Sequence, residues 1–226
     1  MLWCEDYCFV HYPKTAGKSL TRFFVKAWER PIGGFISKGQ VRELADCDLE
    51  STDIEVGRGH ENLLESRRII AEAGLDISAM KAIFVCIRNP YDLMVSNYHF
   101  MRETYKNNKD KENFICAHNN DFDTFCEQVG MSSPKNWMEL DGQQPENLEV
   151  IRFETLNDDL IATAKKYGYA APQIDHLNSS KRGHYSEYMT ARSEQAVFDK
   201  FEYFFEQGYY QRESFPAEAR KKVANG

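Results

Sequence analysis

Three groups of residues in this chain have the types and spacing to do chemistry on an anion. The first is PKTAGKS, where Lys14, Thr15, Lys18 and Ser19 cluster around Ala16 and Gly17. Two ammonium groups, two hydroxyls and a run of backbone N–H groups beside a glycine suit a phosphate-like group. The second is RNPYDLMVS, in which Arg88 offers a planar guanidinium and Ser96 a hydroxyl two helical turns later. Either these two share an anion, or Arg88 pairs with Asp92 as a structural bridge and Ser96 packs. The third is GRGHENLL, where His60 has the type of side chain that accepts a proton near neutral pH, with Glu61 beside it.

Each group needs an element to position it. Tyr7 to His11 is a short, largely apolar, β-prone run, and Pro13 and Gly17 break it. From Lys18 onward Leu20, Phe23, Phe24, Ala27 and Trp28 recur at helical spacing, so the first group sits on a loop at a helix N-terminus, where the macrodipole favours an anion. Gly17-Lys18-Ser19 is the second half of a phosphate-binding GxxxxGK[ST] loop, but residue 12 is Tyr where the first Gly would stand. Ala82 to Ile87, AIFVCI, is a continuous apolar run of the kind found in a central parallel strand. It ends at Arg88, and Pro90 opens a helix at its first turn. Asp53 to Val56 reads as a strand leading to His60, and Glu61 to Ala73 as an amphipathic helix with Gly74 as its stop.

The remainder alternates in the same way. Strands are expected at Phe35–Ile36 and Leu148–Phe153, and helices at Lys38–Ala45, Phe122–Val129, Thr155–Tyr167 and Ser193–Phe205. Residues 104–120 read as exposed loop or frayed helix, 130–147 as a long surface connection and 172–183 as irregular. Such alternation predicts an α/β fold, a three-layer α/β/α arrangement with a largely parallel central sheet and a P-loop-like strand–loop–helix. At 226 residues the expectation is one domain, 1–226, with a loop-rich insertion at 104–147 and a charged tail at 214–226. The net charge of −7 argues against a nucleic-acid-coating surface. The six cysteines form no Cys-x-x-Cys pair and suit neither a zinc site nor a disulfide scaffold; Cys8 and Cys86 fall in expected buried strands as free thiols. That favours a reducing compartment. No stretch reaches the ~20 apolar residues of a membrane span, and the first strand starts at once, so the expected location is cytoplasmic.

HYPKTAGKS, followed some seventy residues later by FVCIRNPYDLMVSNYHF, resembles the sulfotransferase family, whose members use 3′-phosphoadenosine 5′-phosphosulfate (PAPS) and release adenosine 3′,5′-bisphosphate (PAP). IRFETL and HLNSSKRGHYSEYMT are similar to later segments of that family, so the likeness spans residue 9 to about 210. The resemblance implies that Lys14, Thr15, Ala16, Gly17, Lys18 and Ser19 hold the 5′-phosphosulfate, and that Arg88 and Ser96 hold the 3′-phosphate. It implies that Phe153 packs on adenine, a place the residue would otherwise fill as plain core, and that Lys181, Arg182 and Gly183 close over the nucleotide. His60, in a GH element like that of the carbohydrate O-sulfotransferases, would be the base toward an acceptor hydroxyl on a sugar or small molecule, unless Glu61 takes that role or His60 only opens a helix. His99, after the Arg88 helix, is a further candidate for the acceptor cleft. Lys14 would steady the leaving phosphate. No metal is implied: no acidic cluster lies near the loop, and a strand ending in Arg88 lacks the acid that a Mg·ATP site wants. The rivals are a P-loop nucleotide kinase or NTPase using Mg·ATP, and a nucleotide-binding scaffold without catalysis.

Overall fold

The computed structural model describes the whole chain except Arg30, Asp48, Glu50, Ser51 and residues 173–181 and 220–226. In chain order the elements are β1 (Leu2–Trp3), β2 (Tyr7–Val10), α1 (Gly17–Ala27), β3 (Gly33–Ile36), α2 (Lys38–Val41), β4 (Asp53–Val56), α3 (Leu63–Glu72) and β5 (Ala82–Ile87). There follow α4 (Pro90–Glu103), α5 (Glu112–Asn119), α6 (Phe122–Gln128), α7 (Lys135–Met138), β6 (Leu148–Arg152), α8 (Leu156–Tyr167) and α9 (Ala191–Glu206). They fall into two compact units: residues 1–87 with 135–179, and residues 88–134 with 180–226.

The first unit holds a six-stranded sheet of order β4-β3-β1-β2-β5-β6. β2–β5, β5–β6 and β3–β4 pair in parallel, and β1 runs antiparallel to both β2 and β3. Five strands therefore point one way and only β1 opposes them. From β2 the chain passes through α1 to β3 on one side; later it returns to β5 on the other. The strand order reverses between β2 and β5, and ligands of open α/β sheets bind outside the carboxyl ends at such a reversal. The PKTAGKS loop leaves β2 there, and β5, in register with it from Tyr7↔Ala82 to Val10↔Val85, hands the chain on to Arg88.

The core explains why these runs become strands. Tyr7, Phe9, Ala82, Phe84 and Cys86 share one buried cluster with Leu20, Phe23 and Phe24 of α1 and Leu156 and Leu160 of α8. Alternation sends Cys8, Val10, Ile83, Val85 and Ile87 to the other face, and these are fully buried too. A strand covered on both faces has to be apolar throughout, as AIFVCI is. The α1 face packs as aromatics: Phe24 lies 5.0 Å from Phe9, 5.2 Å from Phe84 and 4.5 Å from Trp28 between ring centroids. α3 ends as expected at Gly74, with φ 79°, Gly74 N–H donating to Ala71 O and Leu75 N–H to Ile70 O.

The second unit is helical among its described residues. α4 packs on α5, α6 and α9, and α6 packs on α9. α4 begins at Pro90, capped by Asn89, whose side chain accepts from the N–H groups of Tyr91 and Asp92. Tyr98 is buried and donates to Asn120 O, while Arg102 donates to the Tyr98 hydroxyl and Ala117 O, tying α4 to the segment after it.

Several local expectations need correction. β1 was not expected; two residues are too few to show a pattern. Residues 104–120 contain a defined helix, α5, whose apolar island Phe114–Ala117 packs inward, with Ala117 buried. The 130–147 connection carries the short helix α7, anchored by buried Trp137 and Met138. The 38–45 helix divides into α2 and a 3₁₀ turn at Arg42–Leu44, and the helix after His60 starts at Leu63. β6 is a sheet edge with only Ile151 buried, and its strand ends before Phe153. All six cysteines are free, Cys8 and Cys86 among the buried ones. No described helix is long and apolar enough to cross a membrane.

Candidate functional site

In the first unit the centre is the loop after β2. Lys14 and Ala16 have φ of 65° and 60°, two of the three left-handed non-glycine residues in the described chain, and Thr15 between them is not left-handed. Alternating backbone hands turn successive N–H groups toward one concavity, which binds anions. Ala16 is the N-cap of α1 but caps nothing with its side chain, and the first turn carries no acidic residue. The positive end of α1 is therefore not neutralised from within its own first turn. The Thr15 hydroxyl is fully buried and donates to Tyr12 O at 2.7 Å, so Thr15 braces the loop and presents its backbone to any ligand. Lys14, Ala16, Lys18 and Ser19 are half-buried around it.

Two features of this loop were not legible in the sequence. Tyr12, which replaces the first glycine of a phosphate loop, is buried with its ring edge-on to Trp137 at 4.8 Å, so an aromatic anchor stands beneath the loop. Gly17 lies against the His11 ring: a Cβ there would fall 1.5 Å from His11 Nε2. His11, just past the end of β2 and 7% exposed, in turn stacks near His60, with centroids 4.5 Å apart. The His60 Nδ1 faces His11 O at a long 3.5 Å. If Nδ1 carries the proton, Nε2 is the basic nitrogen of His60.

His60 is reached from β4 through Gly57, whose N–H donates to Ile36 O at 2.9 Å. Its pKa is pushed down, first by the protein crowding an otherwise exposed ring, with the Met1 ammonium and then Lys14 adding to the effect and the His11 carbonyl and Glu61 opposing it. His11 is pushed well down, by burial above all and by His60 next. Glu61 is buried, its carboxylate 3.4 Å from the Met1 ammonium and 3.8 Å from Arg58 Nε. Phe153 is half-buried against the aromatic core.

In the second unit Arg88, Asp92 and Ser96 stand four residues apart and share one side of the helix start. Arg88 Nε donates to Asp92 Oδ2 at 2.7 Å and Nη1 to Ser96 Oγ at 3.4 Å. Arg182 Nη2 donates to the other Asp92 oxygen at 2.6 Å. One carboxylate therefore lies between two guanidiniums with 10% and 8% side-chain exposure, and the cluster keeps an excess positive charge. Arg182 Nε is buried with no acceptor among the described residues. The structural bridge and the anion-binding reading are thus compatible: Asp92 aligns the cations without neutralising both. Gly183 lies against the Glu187 carboxylate. Lys181 lies outside the described residues. His99 sits edge-on to Tyr188 at 5.3 Å, and His118 stacks on Tyr105 at 3.9 Å.

A family model described as a sulfotransferase domain matches residues 24–168, well over half of the chain and beginning just after the PKTAGKS loop. Among solved structures, the chain is similar to the mouse sulfotransferase SULT7A1 complexed with PAP, at 18% identity, over 89% of this chain and 84% of that one, with a TM-score of 0.47. No curated protein matches the sequence.

Proposed function

From the premise that the chain belongs to the sulfotransferase family, we propose that it moves a sulfuryl group from PAPS to an acceptor hydroxyl, releasing PAP. The observation that carries this reading is the loop after β2: two left-handed residues, a helix N-terminus with no acid in its first turn, and a lysine at its start. That set fits a phosphosulfate. The excess positive charge of Arg88 and Arg182 around Asp92, with Ser96 alongside, fits the 3′-phosphate.

PAPS supplies an activated sulfuryl group whose transfer calls for positioning and charge stabilisation more than covalent help. The backbone of Lys14–Ser19 orients the anion. Lys14 places its ammonium where charge develops on the oxygen of the broken bond. His60 accepts the acceptor's hydroxyl proton at Nε2. Because its pKa is lowered, it is already in the neutral, accepting form at pH 7. Phe153 stacks on the adenine, and Lys181 and Gly183 flank the nucleotide. The acceptor is a sugar or small-molecule hydroxyl, and the protein works in the cytoplasm as one functional domain.

Calorimetry with PAP and with ATP, each with and without Mg²⁺, tests this. PAP is expected to bind without metal and more tightly than ATP. Binding of ATP that requires Mg²⁺ and displaces PAP would overturn the proposal in favour of a nucleotide kinase.

A further inference from the structure

Within the second unit the chain turns back after α9. Gly208, with φ 69°, ends that helix, and the N–H groups of Tyr209 and Tyr210 donate to Phe204 O. Residues 211–216 form neither helix nor strand. They return to the start of α9, where Pro216 O accepts the Ala191 N–H at 2.9 Å, a group that a helix start leaves without an intrahelical partner. Side chains fix this return. Arg212 donates through Nε and Nη2 to the two carboxylate oxygens of Glu194 at 2.8 and 2.9 Å, and its guanidinium lies 4.1 Å from the Phe198 ring centroid. The Glu194 side chain is 8% exposed, and a carboxylate so deep requires its cation, so the pair holds the segment down.

The next residues of the segment grip both pieces of chain that build the cluster of Arg88, Asp92 and Arg182. One piece is the start of α4. Tyr91, beside Asp92, is fully buried; its hydroxyl accepts the Glu213 N–H at 3.1 Å and donates to Glu194 at 3.2 Å, and its ring meets Phe215 edge-on at 5.2 Å. The other piece is the turn that follows Arg182. Tyr185 donates its hydroxyl to the Glu213 carboxylate at 2.7 Å and stacks on Tyr91 at 5.9 Å. Glu213 thus holds one piece by its main chain and the other by its side chain. Arg182 is itself held at one nitrogen: among the described residues both of its hydrogen bonds, to Asp92 O and Oδ1, use Nη2. Only Gly183 and His184 separate it from Tyr185, so a shift of one carries the other.

Resting on the proposed reaction, we propose that Tyr185 and Glu213 are positioning residues for the 3′-phosphate: their hydrogen bond clips the Arg182 turn to the start of α4, and the return segment Arg212–Pro216 thereby sets how well the site tells a 3′-phosphorylated nucleotide from one without that group. With the clip open, Asp92 still attracts Arg182, but a single nitrogen on a carboxylate leaves the guanidinium free to swing. Part of the energy of binding the 3′-phosphate then goes into ordering the turn.

The test compares PAP with adenosine 5′-monophosphate, which lacks only the 3′-phosphate, by calorimetry on the full chain. Y185F removes the hydroxyl and keeps the ring; E213A removes the acceptor and keeps the main-chain N–H; E213Q keeps an acceptor oxygen. Y185F and E213A should each weaken PAP about 5- to 20-fold, while the monophosphate changes less than about twofold. Y185F/E213A should lose no more than either alone, because the two groups act through one bond, and E213Q should keep the parent's preference to within about twofold. Equal losses for both nucleotides, an unchanged PAP affinity in Y185F, losses that add in the double variant, or an E213Q protein as impaired as E213A overturns the proposal. Hydrogen exchange without nucleotide reads the clip by itself. The Tyr188 and Met189 N–H groups both donate to Tyr185 O, and they should exchange at least about fivefold faster in E213A; unchanged rates count against the clip. If the parent holds PAP no more tightly than the monophosphate, the proposed reaction is what fails, and the exchange rates alone decide the clip. If E213A fails to fold, Y185F carries both measurements.

Discussion

Replacing Gly17 with alanine tests the arrangement of loop, buried histidine and proposed base in one experiment. The new Cβ would sit 1.5 Å from His11 Nε2 and 2.1 and 2.2 Å from two ring carbons. Ordinary carbon contacts are near 3.5–4.0 Å, so the ring or the helix start has to move by about 2 Å. The His11 ring is 7% exposed, beside Phe9 and His60, and has little room to do so. Overpacking of this kind costs about 1–3 kcal/mol. Against it stands the helix propensity of alanine over glycine, about 1 kcal/mol in favour of the variant. G17A should therefore lose roughly 0–2 kcal/mol in urea unfolding, and its PAP affinity should fall, because the displaced residues support the anion loop. The decisive measurement is the double variant H11A/G17A. With the ring gone the alanine has space, so the two substitutions should couple favourably by at least about 1 kcal/mol. Additive effects, or a G17A protein that unfolds and binds PAP like the parent, would show that His11 does not occupy the space over residue 17.

Three further outcomes follow from the same geometry. His11 and His60 both have pKa values below 6.5 in the folded chain, so the folded state holds fewer protons than the unfolded state once the pH falls below that value. Above it neither histidine affects stability; thermal melts should drop on acidification from about pH 6.5, above the range where carboxylates titrate, and H11Q should flatten that drop. Arg88→Ala should weaken PAP binding by about 10- to 100-fold, the worth of a hydrogen bond between charged groups, while Asp92 stays paired with Arg182; an unchanged affinity in calorimetry would remove Arg88 from the anion site. Single-turnover transfer from labelled PAPS should fall by more than about 100-fold in Lys14→Ala and in His60→Ala, with PAP affinity reduced less than rate; turnover of His60→Ala equal to the parent would take the proton-acceptor role from it.

The sequence was most legible where burial dictates residue type. AIFVCI had to be a two-sided strand because every position in it is covered, and its bounds came out as Ala82–Ile87. Asp53–Val56, Pro90 as a helix start and Gly74 as a helix stop were likewise readable from local chemistry. The loop at 14–19 reads from its residue types as an anion-binding loop, and its two left-handed residues add geometry in keeping with that proposal that sequence could not give. What the sequence withheld is tertiary. Nothing local says that Arg182 donates to Asp92 across ninety residues of chain, or that Gly17 is required by the ring of His11 rather than by a backbone turn. α5 was hidden because its apolar island is only four residues long, and β1 because two residues carry no period.

Lys14 and Ala16 hold backbone angles that a side-chain-bearing residue adopts at a cost of roughly 1–2 kcal/mol each. Position 14 is therefore a place where thermal robustness and usefulness pull in opposite directions. A search for heat-resistant variants would drift toward glycine there, and the hardened protein it returned would be missing the ammonium on which the proposed reaction turns.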